Sequence, residues 1–258
     1  MPTRGPTPGQ DRMTTTRTAL VTGASRGIGL RIARQLAEAG YALTLSARRE
    51  AGLLEATTEL RATGADVTPV VANLAAEEDL HRLVAAHTDR FHRLDLLVLN
   101  GGVGAQGSVA DLPLKTYDLV LNVNLRAQFL LIQRTLPLLR AAAAATPERG
   151  AKIVALASIT GVAGEQGLAA YGASKAGLIS LCETVTLEES GNGVTATALS
   201  PGYVDTDMTA WKRDELDADA MLTTGDVAEL VLAVSRLSAH AVVPNIVLTR
   251  AGGQLWRA

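Results

Sequence analysis

The stretch Thr18-Ala19-Leu20-Val21-Thr22-Gly23-Ala24-Ser25-Arg26-Gly27-Ile28-Gly29 decides the fold. A short apolar run, 19–22, ends abruptly in Gly23, and a helical pattern begins at Gly29. Glycine permits the tight strand-to-helix turn and lets backbone N–H groups approach a pyrophosphate at a positive helix N terminus. The spacing is Gly-x3-Gly-x-Gly, which differs from the general dinucleotide fingerprint Gly-x-Gly-x-x-Gly. Three glycines alone can mark nothing more than a sharp turn. Their place after the first strand of a βαβ unit favours the nucleotide reading.

Working outward, the same alternation continues to the end of the chain. Apolar runs at 42–46, 67–72, 94–99, 152–157, 194–199 and 245–248 read as buried strands. Between them, apolar residues recur every three or four positions over 29–39, 49–62, 77–87, 117–139, 171–190 and 224–238, as in amphipathic helices. Strands that alternate with helices build a mostly parallel sheet, whose strands read as continuous apolar runs because both faces are covered. The expectation is α/β: a single Rossmann-type doubly wound domain over 17–258, with about seven parallel strands and helices on both faces. Ligands then bind at the carboxyl ends of the strands. The alanine-rich 141–150 segment reads as a helix end followed by a loop. Residues 1–16, rich in Pro, Thr and Gly, read as a flexible tail.

The 258 residues are 47% hydrophobic, enough for a large core. No stretch of about 20 apolar residues is free of charge, so no membrane span is expected. The formal charge is −2 with no basic cluster, which argues against nucleic-acid binding. Cys182 is the only cysteine, which excludes an intramolecular disulfide and points to a reducing, cytoplasmic setting. It reads as a small buried hydrophobe. The histidines at 81, 87 and 92 do not share one helical face, so no metal site is expected.

The motif Thr22–Gly29, together with Tyr171-Gly172-Ala173-Ser174-Lys175, resembles the short-chain dehydrogenases/reductases, and the similarity spans roughly Thr18 to Gly253. The resemblance implies that Gly23, Ser25, Arg26, Gly27, Ile28 and Gly29 contact a dinucleotide. The second strand ends Ser46-Ala47-Arg48-Arg49, with Ala47 where NAD-binding relatives carry an acid. A carboxylate there would repel a 2′-phosphate, whereas a guanidinium binds one with two parallel hydrogen bonds. Arg48, with Arg26 from the glycine loop, therefore favours NADP(H). The family's adenine-facing Asp is replaced by Asn73-Leu74, which can still accept from the adenine amino group. Its Asn-Asn-Ala-Gly motif becomes Leu99-Asn100-Gly101-Gly102, where Asn100 and Gly102 match and Leu99 and Gly101 depart.

The resemblance assigns Asn124, Ser158, Tyr171 and Lys175 as catalytic residues. Tyr and Lys at i and i+4 share one face of a helix. A free tyrosine titrates near pH ~10, and a nearby ammonium is expected to lower that value. Tyr171 then exchanges a proton with the substrate oxygen, Ser158 holds that oxygen, and Asn124 holds a water that relays protons through Lys175. Tyr171 and Lys175 also contact the cofactor. Any helix can carry Tyr-x3-Lys as a surface pair. This chain has only four lysines beside twenty arginines, so a lysine here is informative. In Ser200-Pro201-Gly202-Tyr203-Val204-Asp205-Thr206, the family pattern places Pro201, Gly202, Val204 and Thr206 along the nicotinamide.

The family resemblance implies a homotetramer, with a dimer as the second choice. The 124–139 and 171–190 helices, apolar on more than one face, agree with burial against copies of themselves. Met208, Trp211, Leu216 and Met221 are expected to wall the substrate pocket. The 161–168 loop, with three glycines, is expected to offer few side-chain contacts. Among named subgroups the chain is similar to 3-oxoacyl-carrier-protein reductases. Glu183, Glu188 and Glu189, however, would repel an acidic carrier. This lowers the carrier-protein reading without excluding it, and the expected partner is a small carbonyl or alcohol substrate, a small ketone or a 3-oxoacyl thioester. The rival reading is a non-catalytic NADP(H)-binding sensor or scaffold, and the intact tetrad argues against it.

Overall fold

The computed structural model describes residues 16–253. Expectations for the N-terminal tail fall almost entirely outside them. Seven strands form one sheet: β1 (Thr18–Thr22), β2 (Ala42–Ala47), β3 (Val67–Val71), β4 (Leu96–Leu99), β5 (Ala151–Leu156), β6 (Val194–Pro201) and β7 (Asn245–Leu248). Every pairing is parallel and the order is β3-β2-β1-β4-β5-β6-β7. The direction of winding reverses at β1, which has β2 on one edge and β4 on the other. A crevice at such a switch point is where doubly wound sheets bind ligands.

Alternation along the strands divides the core in two. Ala19, Val21, Leu96 and Val98 face one layer, with α1 (Gly27–Glu38), α2 (Glu50–Ala62) and α7 (Thr224–Arg236). Leu20, Leu97 and Leu99 face the other, with α3 (Glu77–Phe91), α5 (Ala127–Ala145) and α6 (Ala169–Glu189). Cys182 lies in this second layer, fully buried, and burial pushes its thiol up to about 12. It packs as a hydrophobe.

The helix expected over 117–139 is three pieces. Helix α4 (Leu114–Leu121) passes into a π-helical turn, Asn122–Arg126, before α5 begins. Single π turns inside α-helices are often found at functional sites. Here the widened turn carries Asn124, whose carboxamide is held by backbone groups of the loop after β4. Helix α5 runs on to Ala145 despite Pro137, so the alanines do end it.

Candidate active site

The glycine loop is shaped by left-handed backbone at Gly23 and Gly27 and by close approach at Gly23 and Gly29. Gly23 and Gly27 have φ of +66° and +54°, in the left-handed region that L side chains avoid. A Cβ on Gly29 would stand 2.3 Å from the Gly23 carbonyl oxygen. The first turn of α1 has no side-chain cap and no acidic residue, so its N–H groups and dipole are open to an anion. Across the crevice, Asn100 donates from Nδ2 to the carbonyls of Thr22 (2.9 Å) and Gly23 (3.1 Å). Asn100 thereby fixes the loop after β1 to the loop after β4. These features fit a dinucleotide pyrophosphate.

Gly101 departs from the family motif for a steric reason. A Cβ at this position would lie 2.5 Å from Cδ1 of Leu74. Leu74 is packed into the second core layer, and the glycine accommodates it. Asn73 is exposed and its Oδ1 already accepts from the Ala75 N–H at 3.1 Å.

Arg48 follows β2 directly and is exposed, with no ion pair among the described residues. Arg26 is exposed too, but its guanidinium is paired with Asp207. Ser25 packs toward Gly52 of α2, and Ile28 is half-buried against the first core layer. Pro201 ends β6, and the Gly202 N–H donates to the Leu248 carbonyl at 2.8 Å, which ties this turn to β7. Val204 is buried and bridges to Leu222. Thr206 caps a 3₁₀ segment, Asp207–Lys212, in a reciprocal arrangement with Thr209. The place for a Cβ on Gly27 is only 3.6 Å from the Thr206 methyl, so the glycine loop and the Pro-Gly segment meet.

The four expected catalytic residues come together. Ser158 follows β5, and its hydroxyl accepts from the N–H (3.2 Å) and hydroxyl (2.9 Å) of Thr160. Tyr171 lies in the first turn of α6, and Lys175 one turn on places Nζ 5.5 Å from the Tyr171 ring centre. Lys175 donates to the Leu156 carbonyl at 2.5 Å. Gly102 sits between Asn124 and Lys175, and a Cβ there would be 3.2 Å from Asn124 Oδ1 and 3.7 Å from Lys175 Nζ. Asn124 is fully buried. It accepts from the Val103 N–H (2.8 Å) and donates to the Val103 carbonyl (2.9 Å) and Ser174 (3.2 Å).

The electrostatics differ from the sequence-based expectation. Burial pulls Lys175 down to about 8. Tyr171 is pushed up, chiefly by burial, with the Glu165 charge adding to the rise and the Ser158 hydroxyl opposing it. A lysine set 5.5 Å from the ring does not outweigh the loss of water around the phenol. The protein alone therefore holds Tyr171 as a phenol.

Ser158 and Tyr171 open onto a cleft of about 390 Å³. Met208 and Trp211 line it as expected, whereas Leu216 and Met221 do not. The 161–168 loop contributes more than its glycines implied, placing Glu165 and Leu168 in the wall. Tyr203, also unforeseen, donates its hydroxyl to Glu165 and meets Trp211 edge to face, with ring centres 5.8 Å apart. A Glu between glycines gave no periodic signal. Its position could be read only from the loop's place beside Tyr171.

A family model described as short chain dehydrogenase matches residues 17–217. The chain belongs to this family. It is 36% identical over 213 residues to the 3-oxoacyl-(acyl-carrier-protein) reductase FabG of Staphylococcus aureus, covering 82% of this chain and 83% of that protein. The corresponding reductase of Synechocystis is 32% identical over 209 residues, 81% of each chain. Among solved structures, a variant of actinorhodin polyketide ketoreductase with NADPH superposes with a TM-score of 0.81 at 30% identity, over 91% of this chain and 95% of that one. An alcohol dehydrogenase from Thermococcus sibiricus complexed with 5-hydroxy-NADP gives 0.83 at 26% identity, over 93% and 98%. The protein is thus an oxidoreductase enzyme of the short-chain type, and no helix among its described residues is long and apolar enough to cross a membrane.

Proposed function

We propose that this enzyme is an NADPH-dependent carbonyl reductase, with Tyr171 as the proton donor to the substrate oxygen. The carrying observation is that Tyr171 and Ser158 open onto one cleft, with Lys175 Nζ 5.5 Å from the Tyr171 ring centre. Bound NADPH would supply a hydride to the carbonyl carbon. Ser158 orients the carbonyl oxygen, Tyr171 gives that oxygen a proton, and Lys175 with Asn124 supports the phenol from behind. In the reverse direction Tyr171 accepts the alcohol proton. Arg48 would hold the 2′-phosphate, and Arg26 would assist from the other side. Gly23, Gly27, Gly29 and Asn100 would shape the pyrophosphate site, with Pro201, Gly202, Val204 and Thr206 beside the nicotinamide.

The substrate class includes small ketones and 3-oxoacyl thioesters. The face expected to repel a carrier protein carries less free negative charge than its three glutamates imply, because Glu189 is buried and paired with Arg140. The groove between α4 and α6, lined by Leu119, Leu125, Phe129 and Leu181, supports assembly into a homotetramer, or a dimer as the smaller alternative. The buried thiol fits a cytoplasmic setting.

The test is NADPH consumption over a panel of ketones and 3-oxoacyl thioesters, run beside NADH, for the native protein and Tyr171→Phe. We expect turnover with NADPH preferred and a loss of at least a hundredfold in the variant, with NADPH still bound. Tight NADPH binding without turnover on any panel member would favour the sensor reading.

A further inference from the structure

Gln128 stands in the first turn of α5, four residues past Asn124, and is fully buried. Its amide nitrogen donates to two different elements. One bond goes to the Val123 carbonyl inside the π turn, at 2.8 Å, and the other to the Gly101 carbonyl in the loop after β4, at 3.0 Å. Both neighbours are acceptors, so the nitrogen must face them. Oε1 is then sealed from solvent without a partner among the described residues. A sealed acceptor costs stability. Natural sequences accept such costs chiefly where a site must be held in one geometry.

We infer that Gln128 is a positioning residue for the reaction: its amide clasps the π turn to the loop after β4 and thereby fixes Asn124. This deepens the carbonyl-reductase reading and rests on it. A π turn moves backbone bonds from i→i+4 to i→i+5, as the Ala127 N–H does in reaching the Asn122 carbonyl. The Val123 carbonyl of the same turn takes the Gln128 side chain as a donor. Asn124, the next residue, grips the loop on the far side of Gly102, through both backbone groups of Val103. Gly101 and Val103 are thus held from one turn, and Gly102 passes between them beside Lys175. The glycine loop has a separate anchor in Asn100, which bonds the Thr22 and Gly23 carbonyls. Loss of the Gln128 clasp therefore falls on Asn124 and Lys175 rather than on the cofactor. Groups that do chemistry need such support, since a misplacement of about 1 Å can cost about a hundredfold in rate.

The test uses Gln128→Met, which keeps the side-chain length and removes both donors. Its control is Ile132→Val, a buried change one turn further along α5 that leaves the clasp intact. Kinetics with NADPH and the ketones and 3-oxoacyl thioesters of the panel are measured well below the melting temperature of each protein. Hydrogen exchange, followed by mass spectrometry, reports on the Val103 amide, which donates to Asn124. In Gln128→Met we expect kcat to fall tenfold or more, with the NADPH dissociation constant within threefold of native. The Val103 amide should exchange at least tenfold faster, and the β1 amides no faster than in Ile132→Val. Ile132→Val should keep kcat within twofold. A lower melting temperature with kcat unchanged would make Gln128 a core filler and overturn the inference. So would Val103 exchange within threefold of native, equal kcat losses in the two variants, or a loss carried by NADPH affinity instead of kcat. A native protein that turns over no panel member would count against the reductase reading, and the exchange of Val103 would still decide whether Gln128 fixes Asn124.

Discussion

Arg26 in the glycine loop is ion-paired with Asp207, the first residue of the 3₁₀ segment after Thr206. Both side chains are more than two-thirds exposed, so the pair is screened and adds little stability. It does set a competition. If Arg26 also serves the 2′-phosphate, Asp207→Ala frees the guanidinium and should tighten NADPH binding by up to about tenfold, with NADH unchanged. Fluorescence titration of both cofactors checks this. Equal effects on the two would remove Arg26 from the phosphate site.

Arg48 has no competing ion-pair partner among the described residues. Arg48→Asp replaces an attraction with a repulsion and should weaken NADPH binding at least tenfold, while NADH affinity holds or improves. Equal losses for both cofactors would show that the phosphate assignment is wrong.

Lys175 links stability to pH. Its folded value, about 8, lies below the ordinary lysine value of 10.5. Between these values the unfolded chain carries a proton that the folded chain lacks, so this group makes stability rise with pH across the window. Below about pH 8 the buried ammonium is a standing cost. Lys175→Met should therefore melt higher than the native protein at pH 7, and the gap should narrow as pH approaches 9.5. Turnover should fall at the same time. Melting curves at several pH values decide it, and a gap independent of pH would refute the burial account.

Gly29 and Gly101 are both crowded but should not respond alike. At Gly29 the obstacle is a backbone carbonyl, which cannot step aside, so Gly29→Ala should cost about 3 kcal/mol or more and abolish cofactor binding. At Gly101 the obstacle is the end of the Leu74 side chain, and Gly101→Ala should cost about 1 kcal/mol. Adding Leu74→Val should cost less than the sum of the separate changes, as contacting residues do. Chemical denaturation of the two single variants and the double variant measures the coupling.

The fold was legible in the sequence because parallel strands covered on both faces are uninterrupted apolar runs, and the turns between them carry glycine. That Tyr171 and Lys175 share a face was legible because residues one helical turn apart have a fixed geometry, whereas Ser158 and Asn124 were expected beside them only through the family resemblance. The π turn at Asn122–Arg126 was not, since its helical periodicity looks ordinary and the Val103 backbone that holds Asn124 is 21 residues away. Nor was the Arg26–Asp207 pair, which joins positions 181 apart. The direction of the Tyr171 shift depended on burial, which the spacing of charges in a sequence does not reveal.

The strand order bears on how the chain acquires its activity as it is made. β1, β2 and β3 are neighbours in sequence and in the sheet, so this half can pair as soon as residue 71 has emerged. The other edge of β1 then waits for β4, and Gly23 lacks the clasp of Asn100 until position 100 arrives. Tyr171 and Lys175 come later, and the turn at Gly202 is anchored only when Leu248 is in place. A partner that needs all of these parts binds nothing short of the nearly complete chain. Ligand binding stabilises only what it recognises. Dinucleotide occupancy would thus distinguish finished molecules from truncated ones, and protect only the former from proteolysis.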